Sequence, residues 1–361
     1  MIIKSIDLDH FRNYENLHLE LGEGIHILYG DNAQGKTNIL EAICLASSNK
    51  SHRGAKDKEM IRFGAENAHI KMLADKKGVE YRIDLHLKSG GNKGIAVNSV
   101  PVRKTRDFLG IINTVLFSPE DLQIVKEGPQ ERRKFIDTEL CQLDKIYLNS
   151  FINYKKALEQ RNQLLKDIYF EPSLRETLDI WDEQLLKYGT DLINLRKKFI
   201  DDLKIVIRPI HDRLSGGKEI LELDYEANVS SENFREELKK SREKDLKSKT
   251  SNVGPHRDDI AFMLNGLDAR VYGSQGQQRT CALSLKMAEI EIVKERTGDS
   301  PVLLLDDVLS ELDMNRQQYL LESIGGIQTV ITCTGLEDFV NRQVRINKVY
   351  RVENGEVKNG E

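Results

Sequence analysis

The sequence predicts an α/β protein, in which a mixed sheet with an antiparallel β subdomain is interrupted along the chain by a helical insertion domain. Two observations predict this class. Apolar strands alternate with helical segments near both ends of the chain, which is typical of a buried parallel sheet, and the middle of the chain has long helical periodicity. We expect three regions, 1–115, 116–250 and 251–361, of which the first and the last together form the α/β core.

The first region is predicted to contain strands, a helix and then hairpins. Alternating apolar residues over 17–27 predict strands, and residues 36–47, KTNILEAICLAS, predict a helix with one apolar side. Residues 68–103 alternate around the turn-rich segment KSGGNKG, which predicts antiparallel hairpins. A strand, a loop and a helix therefore precede the antiparallel subdomain.

Helical periodicity dominates the middle region. Two apolar stripes within 130–205, separated by Pro172, predict two helices that pack antiparallel, and Pro209 is expected to end the second. After this region the α/β pattern returns. The elements predicted there are a helix over 275–297, an apolar strand over 301–305 and a further strand over 329–333.

Composition and charge restrict the class of protein. No apolar run approaches the roughly 20 residues needed to span a bilayer, and the N-terminus lacks a signal-peptide pattern, so we expect a cytoplasmic protein without a membrane partner. The four cysteines form no Cys-x-x-Cys pair, which favours small buried residues over zinc ligands or disulfides. The net charge is −4, yet residues 50–110 hold 14 Lys or Arg against 7 Asp or Glu. Any nucleic-acid surface would therefore be local.

Residues 30–37 read Gly-Asp-Asn-Ala-Gln-Gly-Lys-Thr, the spacing of a P-loop. The glycines let backbone N–H groups turn inward around phosphate oxygens, and the helix that follows adds the positive end of its dipole. Lys36 is expected to reach the β- and γ-phosphates, and the Thr37 hydroxyl to ligate Mg²⁺. The motif stands between a predicted strand and a predicted helix, so we expect a site for ATP and Mg²⁺.

Residues 274–279, Ser-Gln-Gly-Gln-Gln-Arg, open a predicted helix and resemble the signature motif of ABC ATPases. A serine hydroxyl, a glycine amide and a helix N-terminus together form an anion site. Residues 310–313, SELD, follow as the D-loop of that family does. The resemblance implies an ABC-type P-loop ATPase head, in which Ser274, Gly276 and Gln277 contact the γ-phosphate of a nucleotide held by a second subunit, head to tail.

The apolar strand near the end of the chain leads into Asp306 and Asp307. Asp306 is placed to hold Mg²⁺ through a water molecule, and Asp307 to orient the attacking water. Most ABC ATPases have glutamate at the second position, and the shorter aspartate predicts slow hydrolysis. The switch histidine of the family is absent, and Thr332 or Thr334 stands in that region. The expected catalytic residues are Asp307, Lys36 and Gln275.

Seven further stretches resemble the RecF family of recombinational repair ATPases. They are FRNY at 11–14, SHR at 51–53, FSPEDL at 117–122, RRKFID at 132–137, QRNQLL at 160–165, WDEQL at 181–185 and GPHRDD at 254–259. The resemblance implies a monomer that dimerises with ATP on double-stranded or gapped DNA and acts as a weak, DNA-stimulated ATPase. It also implies partnership with RecR, and through RecO with the loading of RecA at gaps.

The resemblance also implies site residues. By analogy with SMC-type heads, Arg12 and Asn13 touch the nucleotide, although Arg12 pairing with a nearby carboxylate is the open alternative. The expected nucleotide contacts are Arg12, Asn13, Gly30, Asp31, Asn32, Ala33, Gln34, Gly35, Lys36, Thr37, Asn38, Ser274, Gly276 and Gln277. The expected DNA contacts, all to phosphates, are Arg53, Lys56, Lys76, Lys77, Lys93, Arg103, Lys104 and Arg106.

Some interpretations stay open. Arg53 can face a phosphate of ATP or of DNA, or form a structural ion pair, and His256 and Arg257 can order the segment before the signature helix. Three other classes fit less well. The insertion is too long for a transporter ATPase subunit and too short for an SMC-like tether. The Ser274 signature argues against a P-loop kinase or GTPase. A DNA clamp that binds ATP and hardly hydrolyses it remains an alternative.

Overall fold

The computed structural model describes residues 1–104, 107–336 and 346–360. Within them the strands are β1 (Ile2–Phe11), β2 (Tyr14–Glu20), β3 (Ile25–Tyr29), β4 (Asn67–Lys76), β5 (Val79–Lys88), β6 (Gly94–Val97), β7 (Val100–Pro101), β8 (Thr114–Phe117), β9 (Leu221–Glu226), β10 (Asp259–Leu264), β11 (Leu267–Asp268), β12 (Val302–Asp306), β13 (Thr329–Cys333), β14 (Ile346–Glu353) and β15 (Glu356–Asn359). The α-helices are α1 (Lys36–Ser48), α2 (Asp57–Met60), α3 (Leu122–Lys126), α4 (Pro129–Leu143), α5 (Lys145–Asp167), α6 (Leu178–Ser215), α7 (Phe234–Ser248), α8 (Ala269–Tyr272), α9 (Gln275–Thr297) and α10 (Met314–Ser323). The expected α/β class with a helical insertion is confirmed.

The chain forms two compact units. The first unit comprises Met1–Asp121 together with Glu289–Glu361, and the second comprises Leu122–Ala288. This division differs from the boundary expected near residue 250, because β10 pairs with β9 and so belongs with the helical unit. The second unit is thus inserted, in chain order, between the two segments of the first.

An antiparallel sheet in the first unit has the strand order β2-β1-β4-β5-β6-β7. Period-two alternation places one set of side chains in the core, as where buried Ile70 on β4 stands opposite buried Leu85 on β5. The hairpins predicted over 68–103 are the strands β4 to β7. This sheet is the antiparallel subdomain expected from the sequence.

A second sheet in the first unit has the order β15-β14-β3-β13-β12-β8, and all its neighbouring pairs are parallel except β14 with β15. β12 and β13 are buried along their whole length, which explains why their sequences are largely apolar. The carboxyl ends of β3 and β12 lie at the same edge of this sheet. The P-loop follows β3, and Asp306 ends β12, so the topology brings the two motifs together.

The second unit contains a helical bundle and a three-stranded antiparallel sheet with the order β11-β10-β9. The prediction that Pro209 ends a helix is wrong, because α6 continues through it for 38 residues in all. The apolar stripe continues beyond the proline with buried Ile210 and Leu214, and this burial outweighs the cost of a proline in a helix interior. Within the described residues, no helix is both long and apolar enough to cross a bilayer.

Buried ion pairs hold the second unit together. Arg161 is fully buried, and it donates from Nε to Asp182 Oδ1 at 2.6 Å and from Nη1 to Asp245 Oδ2 at 2.7 Å. Nη1 also donates to the Ser251 hydroxyl at 2.8 Å. This arginine therefore ties α5 to α6, to α7 and to the segment before β10.

Arg196 makes a second set of such contacts. It donates to Asp137 Oδ1 at 2.7 Å, to Asp258 Oδ2 at 3.0 Å and to the Pro255 carbonyl at 2.6 Å. Its side chain is almost wholly buried. The stretches RRKFID and GPHRDD thus meet through one guanidinium group, since each supplies a carboxylate to it.

His256 orders the same segment. Its Nδ1 accepts from the Tyr154 hydroxyl at 2.7 Å, and its Nε2 lies 3.0 Å from the Ser251 carbonyl, to which it donates. Burial lowers the pKa of His256 to about 4, so the imidazole is neutral at pH 7. Arg257 also donates to the Ser251 carbonyl, at 3.3 Å. Both side chains hold the loop before β10, and the interpretation that they order the segment before the signature helix stays a prediction.

Candidate nucleotide site and signature loop

The loop between β3 and α1 requires glycine at two positions. Gly30 has φ +149°, and a Cβ there would lie 2.3 Å from the Val352 carbonyl oxygen. Gly35 has φ +115°, and a Cβ there would lie 2.5 Å from Asn13 Nδ2. Both the backbone angle and the space exclude a side chain. The motif spacing therefore corresponds to a real loop geometry at the start of a helix.

Lys36 turns inward over this loop. Its Nζ donates to the carbonyl oxygens of Gly30 at 2.6 Å and Asp31 at 2.8 Å, and the side chain is almost wholly buried. Burial lowers the pKa of Lys36, while the Asp307 and Asp306 carboxylates act in the opposite direction. The ammonium group is thus held within the cradle where phosphate oxygens could replace the two carbonyls as acceptors.

Thr37 and Asp306 are in direct contact. The Thr37 hydroxyl donates to Asp306 Oδ1 at 2.7 Å, and the Thr332 hydroxyl donates to the same oxygen at 2.8 Å. Thr332 Oγ1 also accepts from the Asp307 amide at 3.0 Å. Asp307 has φ +53°, an uncommon backbone conformation of the kind that concentrates at functional sites. The threonine at the switch position is therefore bonded to both aspartates.

These oxygens fit Mg²⁺. The Thr37 hydroxyl oxygen and Asp306 Oδ1 lie 2.7 Å apart, so both could face one Mg²⁺, which takes oxygen ligands directly or through water. Among the described residues, no group of three or more His, Cys, Asp or Glu side chains is arranged to hold a metal ion. Mg²⁺ usually takes one or two protein ligands, with phosphates and waters completing its sphere. The pair therefore suits an ion that arrives with a nucleotide.

Residues of the FRNY stretch contact the P-loop and the helix that follows it. Asn13 Nδ2 donates to the Gln34 carbonyl at 2.9 Å, and Asn38 Nδ2 donates to Asn13 Oδ1 at 2.8 Å. Arg12 instead donates two hydrogen bonds to the Glu41 carboxylate, from Nε at 2.7 Å and from Nη2 at 2.8 Å. The structure thus contains the carboxylate pairing that the sequence left open for Arg12, and its nucleotide contact stays a prediction.

The remaining P-loop residues form the exposed rim of the loop. They are Asp31, Asn32 and Ala33. Ala33 has φ +65°, which belongs to the tight turn at the tip. Gln34 is anchored, since its side-chain oxygen accepts from the Asn354 amide at 2.6 Å. The rim is therefore accessible while its base is fixed.

Sequence reasoning missed Glu41 as a member of the site. It is fully buried on α1, and it accepts from the Ser51 hydroxyl as well as from Arg12. This contact fixes the SHR stretch beside the P-loop helix. Both ring nitrogens of His52, the next residue, are buried and have no hydrogen-bond partner. The family-like stretch SHR was the only sequence signal for these contacts.

The signature loop lies in the second unit. The Gln277 amide donates to Ser274 Oγ at 3.3 Å, and the Ser274 amide donates to Gln277 Oε1 at 2.8 Å, a reciprocal cap at the start of α9. Ser274, Gln275 and Gly276 are exposed, and the atom nearest to a Cβ added at Gly276 would be 4.0 Å away. The three residues expected to contact a phosphate, Ser274, Gly276 and Gln277, are thus together at the N-terminus of a 23-residue helix.

The basic residues expected at DNA are in different situations. Three donate within the protein: Lys76 to the Gly110 carbonyl, Lys77 to the Thr297 carbonyl and Lys93 to the Asn49 carbonyl. Lys77 is nevertheless exposed, as are four others, namely Arg53, Lys56, Arg103 and Lys104. Arg106 lies outside the described residues. Those four others remain the best candidates for phosphate contacts.

Comparison with known proteins fits this geometry. Residues 2–358 match the family model of the RecF/RecN/SMC N-terminal domain. The DNA replication and repair protein RecF of Lachnospira eligens is 57% identical over 361 residues, which cover 99% of each chain. A solved structure of the recombination mediator protein RecF with ATP, from the RecFOR pathway, is 40% identical with a TM-score of 0.93, over 100% of this chain and 98% of that one.

The fold extends to more distant proteins. The Smc head domain of Pyrococcus furiosus, solved with the C-terminal domain of ScpA, is 17% identical with a TM-score of 0.59, over 100% of this chain and 96% of that one. At that identity the likeness shows the fold alone. The full-length match to the RecF relatives shows more, and the chain therefore belongs to the RecF family of DNA replication and repair ATPases, with a head of the ABC and SMC type.

Proposed function

We propose that this chain binds ATP and Mg²⁺ at its P-loop, and that ATP joins two copies head to tail into a clamp on double-stranded or gapped DNA. Slow hydrolysis then opens the clamp. The observation that carries the proposal is the presence of two anion sites on one chain. One is the glycine cradle around Lys36, and the other is the exposed, capped N-terminus of α9 at Ser274.

The two anion sites have different geometry. The cradle has an ammonium group, a hydroxyl and a carboxylate beside it, which is what a triphosphate with Mg²⁺ requires. In the signature loop the cap occupies the amides of Ser274 and Gln277, which leaves the Ser274 O–H and the first amides of α9, at Gln275 and Gly276, to face one side of a terminal phosphate. A γ-phosphate held by one copy and capped by Ser274 of the other would make the nucleotide part of the interface.

Hydrolysis would be slow at this site. Water attacks the γ-phosphorus, the bond from that phosphorus to the β–γ bridging oxygen breaks, and Asp307 orients the water and takes up its proton. Mg²⁺ would neutralise the charge on the β- and γ-phosphates, held by Thr37 and Asp306. Asp307 is one methylene shorter than the glutamate typical of ABC ATPases, and Thr332 stands at the switch position. We expect DNA to stimulate a low turnover rate.

DNA and protein partners follow from family membership and charge. Arg53, Lys56, Arg103 and Lys104 would contact phosphates, with little dependence on base sequence and a steep dependence on salt. The partner protein would be RecR, with RecO and RecA acting downstream at gaps. Arg106 remains a predicted contact of the same kind.

The test is the molar mass in solution, measured by light scattering without nucleotide, with ADP and with a slowly hydrolysed ATP analogue plus Mg²⁺. We expect the mass to double only with the analogue, and the dimer to retain duplex DNA. Ser274→Arg should bind the analogue normally and stay monomeric, because a long cation blocks the approach of a second copy. Ser173→Arg, at an exposed serine elsewhere in the second unit, is the control and should dimerise normally. Full dimerisation of Ser274→Arg would contradict the shared site.

A second candidate is an ATP-dependent DNA clamp that hardly hydrolyses ATP. The bonding of Thr332 to both Asp306 and Asp307 favours it, because that hydroxyl is not available to a phosphate. Phosphate release measured with and without duplex DNA separates the two. Turnover that stays at background in both conditions, with dimerisation intact, would favour the pure clamp.

A further inference from the structure

His52 has an unusual environment. In the part of the chain that the structure describes, it is the only histidine with both ring nitrogens buried and without a hydrogen-bond partner. Buried polar atoms in proteins are paired in the great majority of cases, and an unpaired one destabilises the fold. Proteins tolerate such a cost mainly at functional sites, where a ligand completes the bonding. The ring therefore calls for a ligand.

The position of His52 is fixed beside the P-loop helix. The preceding residue, Ser51, donates to Glu41 on α1, and Glu41 also accepts two hydrogen bonds from the Arg12 guanidinium. The carboxylate of Asp306 acts on the ring, and so do those of Glu41 and Glu120. His52 thus shares its surroundings with the oxygens that suit Mg²⁺.

The chemistry of the ring limits what it can bind. Burial lowers the pKa of His52 despite the three carboxylates, so the imidazole is neutral at pH 7. A neutral imidazole has one N–H donor and one nitrogen acceptor. It needs a partner, or a pair of partners, that offers both an oxygen acceptor and an O–H donor. A phosphate oxygen next to a water molecule satisfies both requirements.

The strand end at which related ATPases place a histidine offers no such group here. Thr332 uses its hydroxyl on Asp306 Oδ1 and on the Asp307 amide, and Thr334 is exposed. An imidazole near the γ-phosphate would have to come from another element. The loop after α1 supplies one.

We propose that His52 contacts the terminal phosphate of bound ATP and the water that attacks it, in the role of the missing switch histidine. This inference rests on the proposed ATP site. The N–H donates to a γ-phosphate oxygen, and the other nitrogen accepts from the water. As the water oxygen bonds to the γ-phosphorus and the bond to the bridging oxygen breaks, the released proton goes to Asp307, and His52 keeps its own.

The test compares His52→Leu with His52→Gln, using calorimetry to measure the affinities for ADP and for a slowly hydrolysed ATP analogue with Mg²⁺. His52→Leu should bind the analogue about tenfold more weakly and ADP with unchanged affinity, because only the analogue has a γ-phosphate. His52→Gln, which retains a donor and an acceptor, should recover most of that loss. His18→Leu, at an exposed histidine that pairs with Asp7, is the control and should behave as the unaltered chain.

Stability gives a second readout. If His52 contacts only the nucleotide, His52→Leu should keep or raise the thermal midpoint without nucleotide, because an apolar group replaces two unpaired polar atoms. A midpoint lowered by several degrees, with equal losses for ADP and the analogue, would show a structural role and overturn the inference. Unchanged affinities would overturn it too.

Failure of the inference is distinguishable from failure of the proposed function. If the unaltered chain binds neither nucleotide, the ATP site itself is wrong. If the unaltered chain binds both, Lys36→Ala loses both, and His52→Leu loses neither, the ATP site stands and only the role of His52 is refuted.

Discussion

The P-loop site of the first unit and the ion-pair network of Arg161 and Arg196 in the second both contain buried charged and polar side chains. The two regions differ in how those side chains are paired. In the network, each buried guanidinium faces carboxylates that are themselves hydrogen-bonded, so the charges compensate one another. In the P-loop site, Lys36 rests on two backbone carbonyls, and His52 has no partner at all. The charges of the network are compensated within the fold, although Arg161 Nη2 is buried without a hydrogen-bond partner, whereas in the site both ring nitrogens of His52 are unpaired.

This difference separates two reasons for a polar residue to be buried. Stretches such as QRNQLL, WDEQL and GPHRDD supply residues of the network, so in this chain these stretches serve the internal packing of the second unit. The P-loop, FRNY and SHR supply or brace the site. We therefore expect substitutions in the network to reduce stability, and substitutions in the site to reduce ligand affinity.

The largest expected effect is that of Arg161→Met. Removing the guanidinium leaves the Asp245 carboxylate buried without a counter-charge, which should lower the free energy of unfolding by about 3–5 kcal/mol. Urea unfolding measures it. Arg175→Met, which breaks an exposed pair with Glu243, should cost less than about 1 kcal/mol. Equal effects for the two variants would mean that burial does not distinguish the network from a surface pair.

Lys36→Ala should have the next largest effect, and on affinity. The ammonium group is expected to bond phosphate oxygens directly, so affinity for the ATP analogue should fall by about 100-fold, or about 2.7 kcal/mol. The thermal midpoint without nucleotide should not fall, since the buried ammonium contacts only carbonyls. Calorimetric binding and a melting curve test both. A large loss of stability would mean that Lys36 stabilises the fold, as the arginines of the network do. That result would contradict the proposed difference between the two regions.

His256 gives the smallest of the three effects, and it depends on pH. The pKa of His256 is about 4 in the folded chain against an ordinary 6.5, so the unfolded chain binds more protons between those values. The free energy of unfolding should therefore fall as pH falls through this window, by about 2 kcal/mol at pH 5 relative to pH 8. In His256→Gln the fall should be smaller by that amount. Parallel pH profiles for both proteins would contradict the assignment.

Sequence reasoning succeeded where short-range signals agree. The helix over 275–297 is predicted from its helical apolar periodicity, and the structure places it at Gln275–Thr297. The ABC-type fold class and the family were predicted from ordered motifs, and both are confirmed. The helix depends on residues that are neighbours in the chain. The fold class and the family depend on several motifs that occur in the expected order and at the expected spacing.

It failed where the decision depends on distant packing. A proline such as Pro209 is typical of a helix end. The helix continues past it because Ile210 and Leu214 are buried. Glu41 lies in the middle of an ordinary amphipathic helix, and nothing nearby shows that Arg12 and Ser51 converge on it. The unpaired nitrogens of His52 depend on what surrounds the ring, which no local pattern encodes.

The position of β3 at the interior of the parallel sheet has a consequence for how the protein is made. Thr37 and its partner Asp306 are 269 residues apart, so a ribosome adding about 5–20 residues per second delivers the second roughly 13–54 s after the first. During that interval β3 has neither of its neighbours, β13 and β14, because both come later still. The nascent chain must keep an apolar strand from pairing wrongly until β13 and β14 have been synthesised. Premature termination before β12 therefore yields a chain that carries the P-loop motif and has no nucleotide site.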